Sequence, residues 1–329
     1  MGDLTCLGIE STAHTFGIGI ITKDGKVLAD VKSVYKPPLG KGIVPHEARL
    51  HHEKSCEKVF TNALKKSGIS MEEIDVIGYS AGPGLPPCLI VGADFAIKLS
   101  KDYQKPLLPI NHPCAHIEIG KLKTGAKDPL IVYLSGANTQ LVAYVEGRYR
   151  VFGEVIDVPI GNCLDVIARF MGLPAPGGKE IEKLAKKGKN YIELPYVVKG
   201  MDISLSGIQT AALKLIEKGY NKADIAYSVQ ETCFAMLTEV TERAVAHTGK
   251  QEVLLVGGVA ANRRLQEMMK IMCEERGCKM YVVPKKYASD CGTNIAWVGI
   301  LAYKSGWKPH FTDKILPKWR IEEVDITWL

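Results

Sequence analysis

Two imidazoles stand four residues apart in His112-Pro113-Cys114-Ala115-His116. On a helix, that spacing projects both rings from one face. Imidazole is the commonest protein metal ligand near neutral pH. Pro113 suits the first turn of a helix, because the donor it lacks is not needed there. A metal-dependent peptidase would carry a glutamate directly after the first histidine to activate water, and Pro113 occupies that place. The pair therefore fits a metal acting as a Lewis acid on a carbonyl or phosphoryl oxygen better than one generating a hydrolytic nucleophile.

A carboxylate partner is available far along the chain. Asp290, in Ser289-Asp290-Cys291-Gly292, precedes a helical stretch over Asn294–Tyr303. Such a residue is commonly a helix N-cap, and it also stands where an α/β fold would place a metal-binding acid. A second polar feature is Val253-Leu254-Leu255-Val256-Gly257-Gly258, a strand running into paired glycines and then a helix through Leu265, Met268 and Met272. Glycines let backbone approach a ligand and the helix start favours anions. The pattern does not match G-x-G-x-x-G, so a dinucleotide site is not expected.

The elements that must hold these groups recur. Leu4–Glu10, Phe16–Ile21 and Lys26–Ala29 read as strands around the turn Ser11-Thr12-Ala13-His14-Thr15. Leu130–Leu134, Leu141–Val145 and Tyr149–Phe152 repeat the pattern around Ser135-Gly136-Ala137-Asn138-Thr139-Gln140, about 125 residues later, which points to a duplicated domain. Each small polar turn is expected to offer amides and hydroxyls to phosphate oxygens. Between the repeats, helices are expected over 47–66 and 93–101, a strand over 75–80, and a rigid loop over Ala81–Pro87. A long core-facing helix is expected over Ile225–His247, with Cys233 in the core.

The 329 residues carry 24% charged and 46% hydrophobic side chains, enough for two domains with real cores. No apolar run has the length of a membrane span, and a cytoplasmic protein is expected. The nine cysteines show no C-x-x-C pair and read as reduced thiols. A net charge of +6 permits an anionic partner. Basic clusters at Lys121/Lys123/Lys127, Lys183/Lys186/Lys187/Lys189 and Arg263/Arg264/Lys285/Lys286 suggest phosphate or nucleic acid.

Together, Asn111-His112, Ala115-His116-Ile117-Glu118, Ser135–Gln140, Pro176-Gly177-Gly178 and Gly257–Asn262 resemble, in order and over nearly the whole chain, the universal tRNA threonylcarbamoyltransferase family. Its archaeal and eukaryotic form is the catalytic subunit of the KEOPS complex. His14 and the Lys123–Pro129 segment look archaeal. The resemblance implies an α/β, two-lobed actin-like and Hsp70-like (ASKHA) fold with duplicated subdomains. Residues 1–127 would form one lobe, with 296–329 packing back on it, and 128–295 the other. It implies one iron or zinc ion on His112, His116 and Asp290, with Tyr133 as a further ligand, the first three being catalytic. It implies an adenine nucleotide, either the threonylcarbamoyl-AMP donor or ATP/AMP, at Ser135, Gly136, Asn138, Asp165, Gly178, Glu182 and Asn262. Substrate and partners would be ANN-decoding tRNA and KEOPS subunits, namely a small protein kinase and small accessory subunits, one of them bridging a dimer, with no membrane.

Three positions depart from the family pattern: Ser11, Ala137 and Cys291 stand where glycine, glycine and asparagine are usual. Cys291 leaves open a thiolate at the metal. The fold alone would also suit an ATPase driving a partner, or a scaffold subunit of a multi-protein complex. The histidine pair argues against the ATPase, since such enzymes hold magnesium with carboxylates.

Overall fold

The computed structural model describes residues 4–38 and 40–329. In the first half, strands β1 (Thr5–Glu10), β2 (Thr15–Thr22) and β3 (Val27–Val34) precede helix α1 (Pro45–Ser67). Then come β4 (Val76–Gly82), α2 (Pro86–Tyr103), β5 (Leu107–Asn111) and α3 (His112–Thr124). The second half opens with β6 (Leu130–Leu134), β7 (Thr139–Val145) and β8 (Arg148–Glu154), followed by α4 (Ile160–Phe170) and α5 (Gly177–Ala185). A short pair, β9 (Val198–Lys199) and β10 (Asp202–Ile203), precedes α6 (Ser206–Glu217) and α7 (Lys222–Thr248). The chain then runs through β11 (Glu252–Val256), α8 (Arg263–Glu275), β12 (Lys279–Val282), α9 (Lys285–Ala288) and α10 (Gly292–Ser305).

The duplication is visible in the sheets. The first has the order β3-β2-β1-β4-β5 and the second β8-β7-β6-β11-β12. In both, three antiparallel strands are extended by two parallel ones. Strand alternation sorts the second sheet between two cores. Leu130, Val132 and Leu134 face the helices of the second half, while Ile131 and Tyr133 face the core shared with the first sheet. That parity turns the Tyr133 ring toward α3.

One expectation fails in a way that explains itself. Ala81–Pro87 is not a loop throughout: β4 continues to Gly82, and Pro86 and Pro87 open α2, which is longer than the stretch expected over 93–101. Proline at the start of a helix costs no backbone bond. Among the described residues no helix is long and apolar enough to cross a membrane. All nine cysteines are free, and Cys233 is fully buried.

Candidate functional site

Helix α3 begins at His112, with the Asn111 side chain accepting the Cys114 amide at 3.2 Å as its cap. This start sits at the end of the parallel strand β5, so both histidines project from the carboxyl edge of the first sheet. Their rings pack edge to face with centroids 4.6 Å apart. His116 Nε2 lies 3.3 Å and His112 Nε2 3.6 Å from Asp290 Oδ1. The three donor atoms lie within 4.8 Å of one another, the one such group of three among the described residues.

Asp290 is delivered by close packing. Cβ atoms built at Gly19 and Gly8 would lie 2.0 Å from the Thr293 amide and 2.2 Å from the Ala296 amide. Only glycine leaves room for the start of α10 to sink between β1 and β2, which fixes the residue two places before it. The N-cap expectation for Asp290 is thereby corrected: Cys291 holds that position, without a side-chain cap bond, and the carboxylate turns to the histidines. Cys291 Sγ donates to Asn294 Oδ1 at 3.1 Å, burial pushes its thiol up to about 12, and it is not part of the three-residue donor group.

A residue that sequence reading did not single out holds the first histidine. Glu10, 1% exposed at the end of β1, accepts His112 Nδ1 at 2.8 Å with one carboxylate oxygen. Its other oxygen accepts the Thr12 amide at 2.7 Å and hydroxyl at 2.6 Å. A carboxylate behind a histidine fixes ring and tautomer for a metal at the far nitrogen. The signal was the acid closing a buried strand, which only the partnership with α3 makes functional. Part of the first turn's donor set, expected to face phosphate, is thus used within the protein. Thr12 serves Glu10, and the Ser11 amide donates to Ser80 Oγ at 2.9 Å.

Burial disfavours a charged His112, but Glu10 and Asp290 outweigh it and raise the imidazole to about 9. His116 is lowered, chiefly by burial. Burial pushes Asp290 upward, but the hydrogen bond from His116 and the charge of His112 hold its carboxyl well below the usual range. The cluster thus sets two carboxyl groups, Glu10 and Asp290, against one imidazolium, a balance that favours a cation there. Tyr133 Oη is fully buried without a well-formed hydrogen bond, with Ser135, Asn138 and Asp290 near it. Two imidazoles, one carboxylate and an orphaned phenol fit a divalent transition metal with coordination positions to spare.

The second polar turn lies beyond Tyr133. Ser135 Oγ accepts the amides of Ala137 at 3.2 Å and Asn138 at 2.9 Å, and Gly136 is exposed with open space around it. This turn abuts the start of α4, where a Cβ on Gly161 would come 2.5 Å from the Ser135 carbonyl. One turn on, Asp165 Oδ1 accepts the Gly177 amide at 2.6 Å, and burial raises its carboxyl. Gly178 follows in the first turn of α5. Glu182 Oε1 accepts the Arg263 amide at 3.2 Å, linking α5 to the start of α8. Gly257, at φ +90° and against the Leu134 carbonyl, admits no side chain there. Asn262 is occupied within the protein: its oxygen caps α8 through the Leu265 amide and its nitrogen donates to Gln230, both at 3.2 Å. Contacts thus connect the residues named from sequence in series, from the Ser135 turn through α4 and α5 to the start of α8.

Two duplicated five-stranded lobes of this topology define the actin-like ATPase class of folds. Solved structures agree: the chain is similar to HypF of T. kodakarensis, at 18% identity and a TM-score of 0.64 over 92% of this chain and 48% of that one. It is similar also to component A of the Acidaminococcus fermentans (R)-2-hydroxyglutaryl-CoA dehydratase, at 12% identity and a TM-score of 0.54, covering 90% of this chain and 98% of that one. Within that class the chain belongs to the tRNA N6-adenosine threonylcarbamoyltransferase family, whose profile matches residues 26–297. It is 50% identical over 330 residues to the Thermofilum pendens protein of that description, covering 100% of this chain and 98% of the relative. It is 51% identical to a probable bifunctional tRNA threonylcarbamoyladenosine biosynthesis protein of Methanocaldococcus jannaschii, covering 99% of this chain but only 61% of that longer relative.

Proposed function

We propose that this chain transfers threonylcarbamoyl from threonylcarbamoyl-AMP to the exocyclic amine of the adenosine 3′ of the anticodon in ANN-decoding tRNAs. It does so in the cytoplasm as the catalytic subunit of a KEOPS assembly, with a small kinase and small accessory proteins. The lobes are taken as 1–127 with 296–329, and 128–295. The observation that carries this reading is the convergence of His112, His116 and Asp290 beside a polar turn, with the buried Tyr133 hydroxyl between them. Peptidase chemistry has no glutamate next to His112 to serve it.

His112, His116 and Asp290 would hold iron or zinc, with Tyr133 as a fourth donor. Bound there, the ion supplies Lewis acidity toward donor oxygens. Glu10 keeps the His112 ring oriented through its Nδ1 proton. Asp165 and Glu182 accept ribose hydroxyls, and the Ser135–Asn138 turn with the start of α4 receives the phosphate of the adenylate. Gly178 lets backbone approach the nucleotide, and Asn262 holds the α8 start in place. The tRNA amine forms the new bond to the carbamoyl carbon. The bond from that carbon to the phosphate oxygen breaks, and AMP departs with the electron pair. An anticodon-loop base reaches the site without duplex opening.

The test is transfer of labelled threonylcarbamoyl from synthetic threonylcarbamoyl-AMP to unmodified tRNA, with metal and partner subunits supplied. Product from wild type and none from His112→Ala is expected. No product from wild type with active partners would return the chain to an ATPase or scaffold role.

A further inference from the structure

One member of each basic cluster of the sequence is engaged within the protein. Lys121 is buried against Glu118 at 3.5 Å, Lys183 pairs with Glu180 at 2.7 Å, and Arg264 pairs with Glu231 at 2.7 Å. Other lysines, from four elements remote in sequence, come together instead. Lys32 on the edge strand β3 donates to Ser289 Oγ at 2.8 Å and to the Asp290 carbonyl at 3.0 Å. Lys66, near the end of α1, donates to the Asp30 carbonyl at 3.0 Å. Lys123 on α3 and Lys286 on α9 stand 5.3 Å each from the centroid of one ring, Tyr287. Lys285 precedes Lys286 on the exposed surface.

We infer that Lys32, Lys66, Lys123, Lys285 and Lys286, braced by the Tyr287 ring, form a strip that binds the phosphodiester backbone of RNA beside Asp290. None of the five is in an ion pair among the described residues. Two carboxyls lie near them, the part-buried Asp30 among Lys32, Lys66 and Lys286 and Asp24 near Lys123, so ammonium groups outnumber carboxyls along the strip. Burial and the neighbouring Lys286 both disfavour the charged form of Lys123. A row in which ammonium groups outnumber carboxyls is relieved by a polyanion, and lysine engages phosphate as a point charge. The cation–π contacts fix Lys123 and Lys286 without neutralising them.

Placement selects RNA over an acidic protein. The strip touches the backbone of Asp290 at one end. At its other end Lys123 lies about 16 Å along α3 from His112, by helix rise. It therefore leads away from the centre to which the acceptor base must come, so the strand that delivers the base also lays its phosphates there. The choice of RNA over an acidic protein rests on the transferase reading; the gathering of the five lysines does not.

The test measures binding of unmodified tRNA to the full chain as a function of salt. A Lys123→Gln/Lys286→Gln variant is compared with Lys186→Gln/Lys187→Gln, an exposed pair elsewhere, after metal content and Tm are matched to wild type. Each lost phosphate contact lowers the slope of log affinity against log salt by about 0.7 to 0.9. The first variant is expected to lose about 1.4 to 1.8 in slope and on the order of tenfold in affinity at low salt, and the second to lose neither. An unchanged slope in the first variant, an equal loss in both, or displacement by polyglutamate as readily as by polyuridylate would overturn the strip. Transfer to tRNA with an unchanged slope would sink the strip alone. A strip-dependent slope without transfer would sink the transferase reading alone.

Discussion

The two polar turns occupy equivalent places in duplicated lobes, between β1 and β2 and between β6 and β7, yet they are built for different work. The first is sealed: Glu10, Ser11 and Thr12 are all at most 4% exposed, and a carboxylate both closes the turn and grips His112. The second is closed by a neutral hydroxyl, Ser135, and leaves Gly136 and Ala137 at the surface. Duplication supplied one scaffold twice. A single acid at the end of β1 makes one copy a brace for the His112–His116–Asp290 cluster, while the other copy leaves its turn exposed.

If the first turn is the sealed one, acid should attack it first. His52 on α1 is fully buried beside the Ala13 backbone and edge-on to Phe16 at 5.6 Å, and burial pushes it down to about 4. An unfolded histidine titrates near 6.5, so between those values the unfolded state binds more protons. Stability should therefore fall by about 3 kcal/mol as pH drops from about 6.5 to about 4. His52→Phe should flatten that fall in denaturant titrations. An unaltered profile would remove the first turn's dependence on a neutral histidine.

The next effect separates the turns by ligand. Glu10→Gln keeps the shape but weakens the brace, and should reduce zinc or iron affinity by about 10- to 100-fold, with nucleotide binding little changed. Metal affinity equal to wild type would leave Glu10 as a structural cap. The smallest effect is the mirror image. Ser135→Ala removes the acceptor of two amides, at a cost of about 1 kcal/mol, and should weaken adenine nucleotide binding roughly fivefold while metal binding holds. A drop in metal affinity of the same size would merge the two turns into one site.

The histidine pair, the helix it opens and the duplicated lobes were legible because each rests on local spacing or on repetition. Glu10 was not, since nothing near it in sequence distinguishes a metal brace from an ordinary strand end. Asp290 could be nominated by position, but its release from capping depends on Gly8 and Gly19, whose missing side chains read as weak strand positions. Which members of the basic clusters stay free was not legible either: ion pairs such as Arg264–Glu231 and approaches such as Lys123 to Lys286 are decided by tertiary packing. Pro86-Pro87 misled by chemistry that serves a loop and a helix start equally well.

The glycine slot that receives α10 also sets a timetable. Lys32 and the Asp290 carbonyl it grips are 258 residues apart along the chain. At typical translation rates of about 5–20 residues per second, the slot in the first sheet waits roughly ten seconds or more on the ribosome for the segment that fills it. For the last 174 residues of that stretch His116 exists without Asp290, so a nascent chain carries the histidine pair before the carboxylate that completes the cluster.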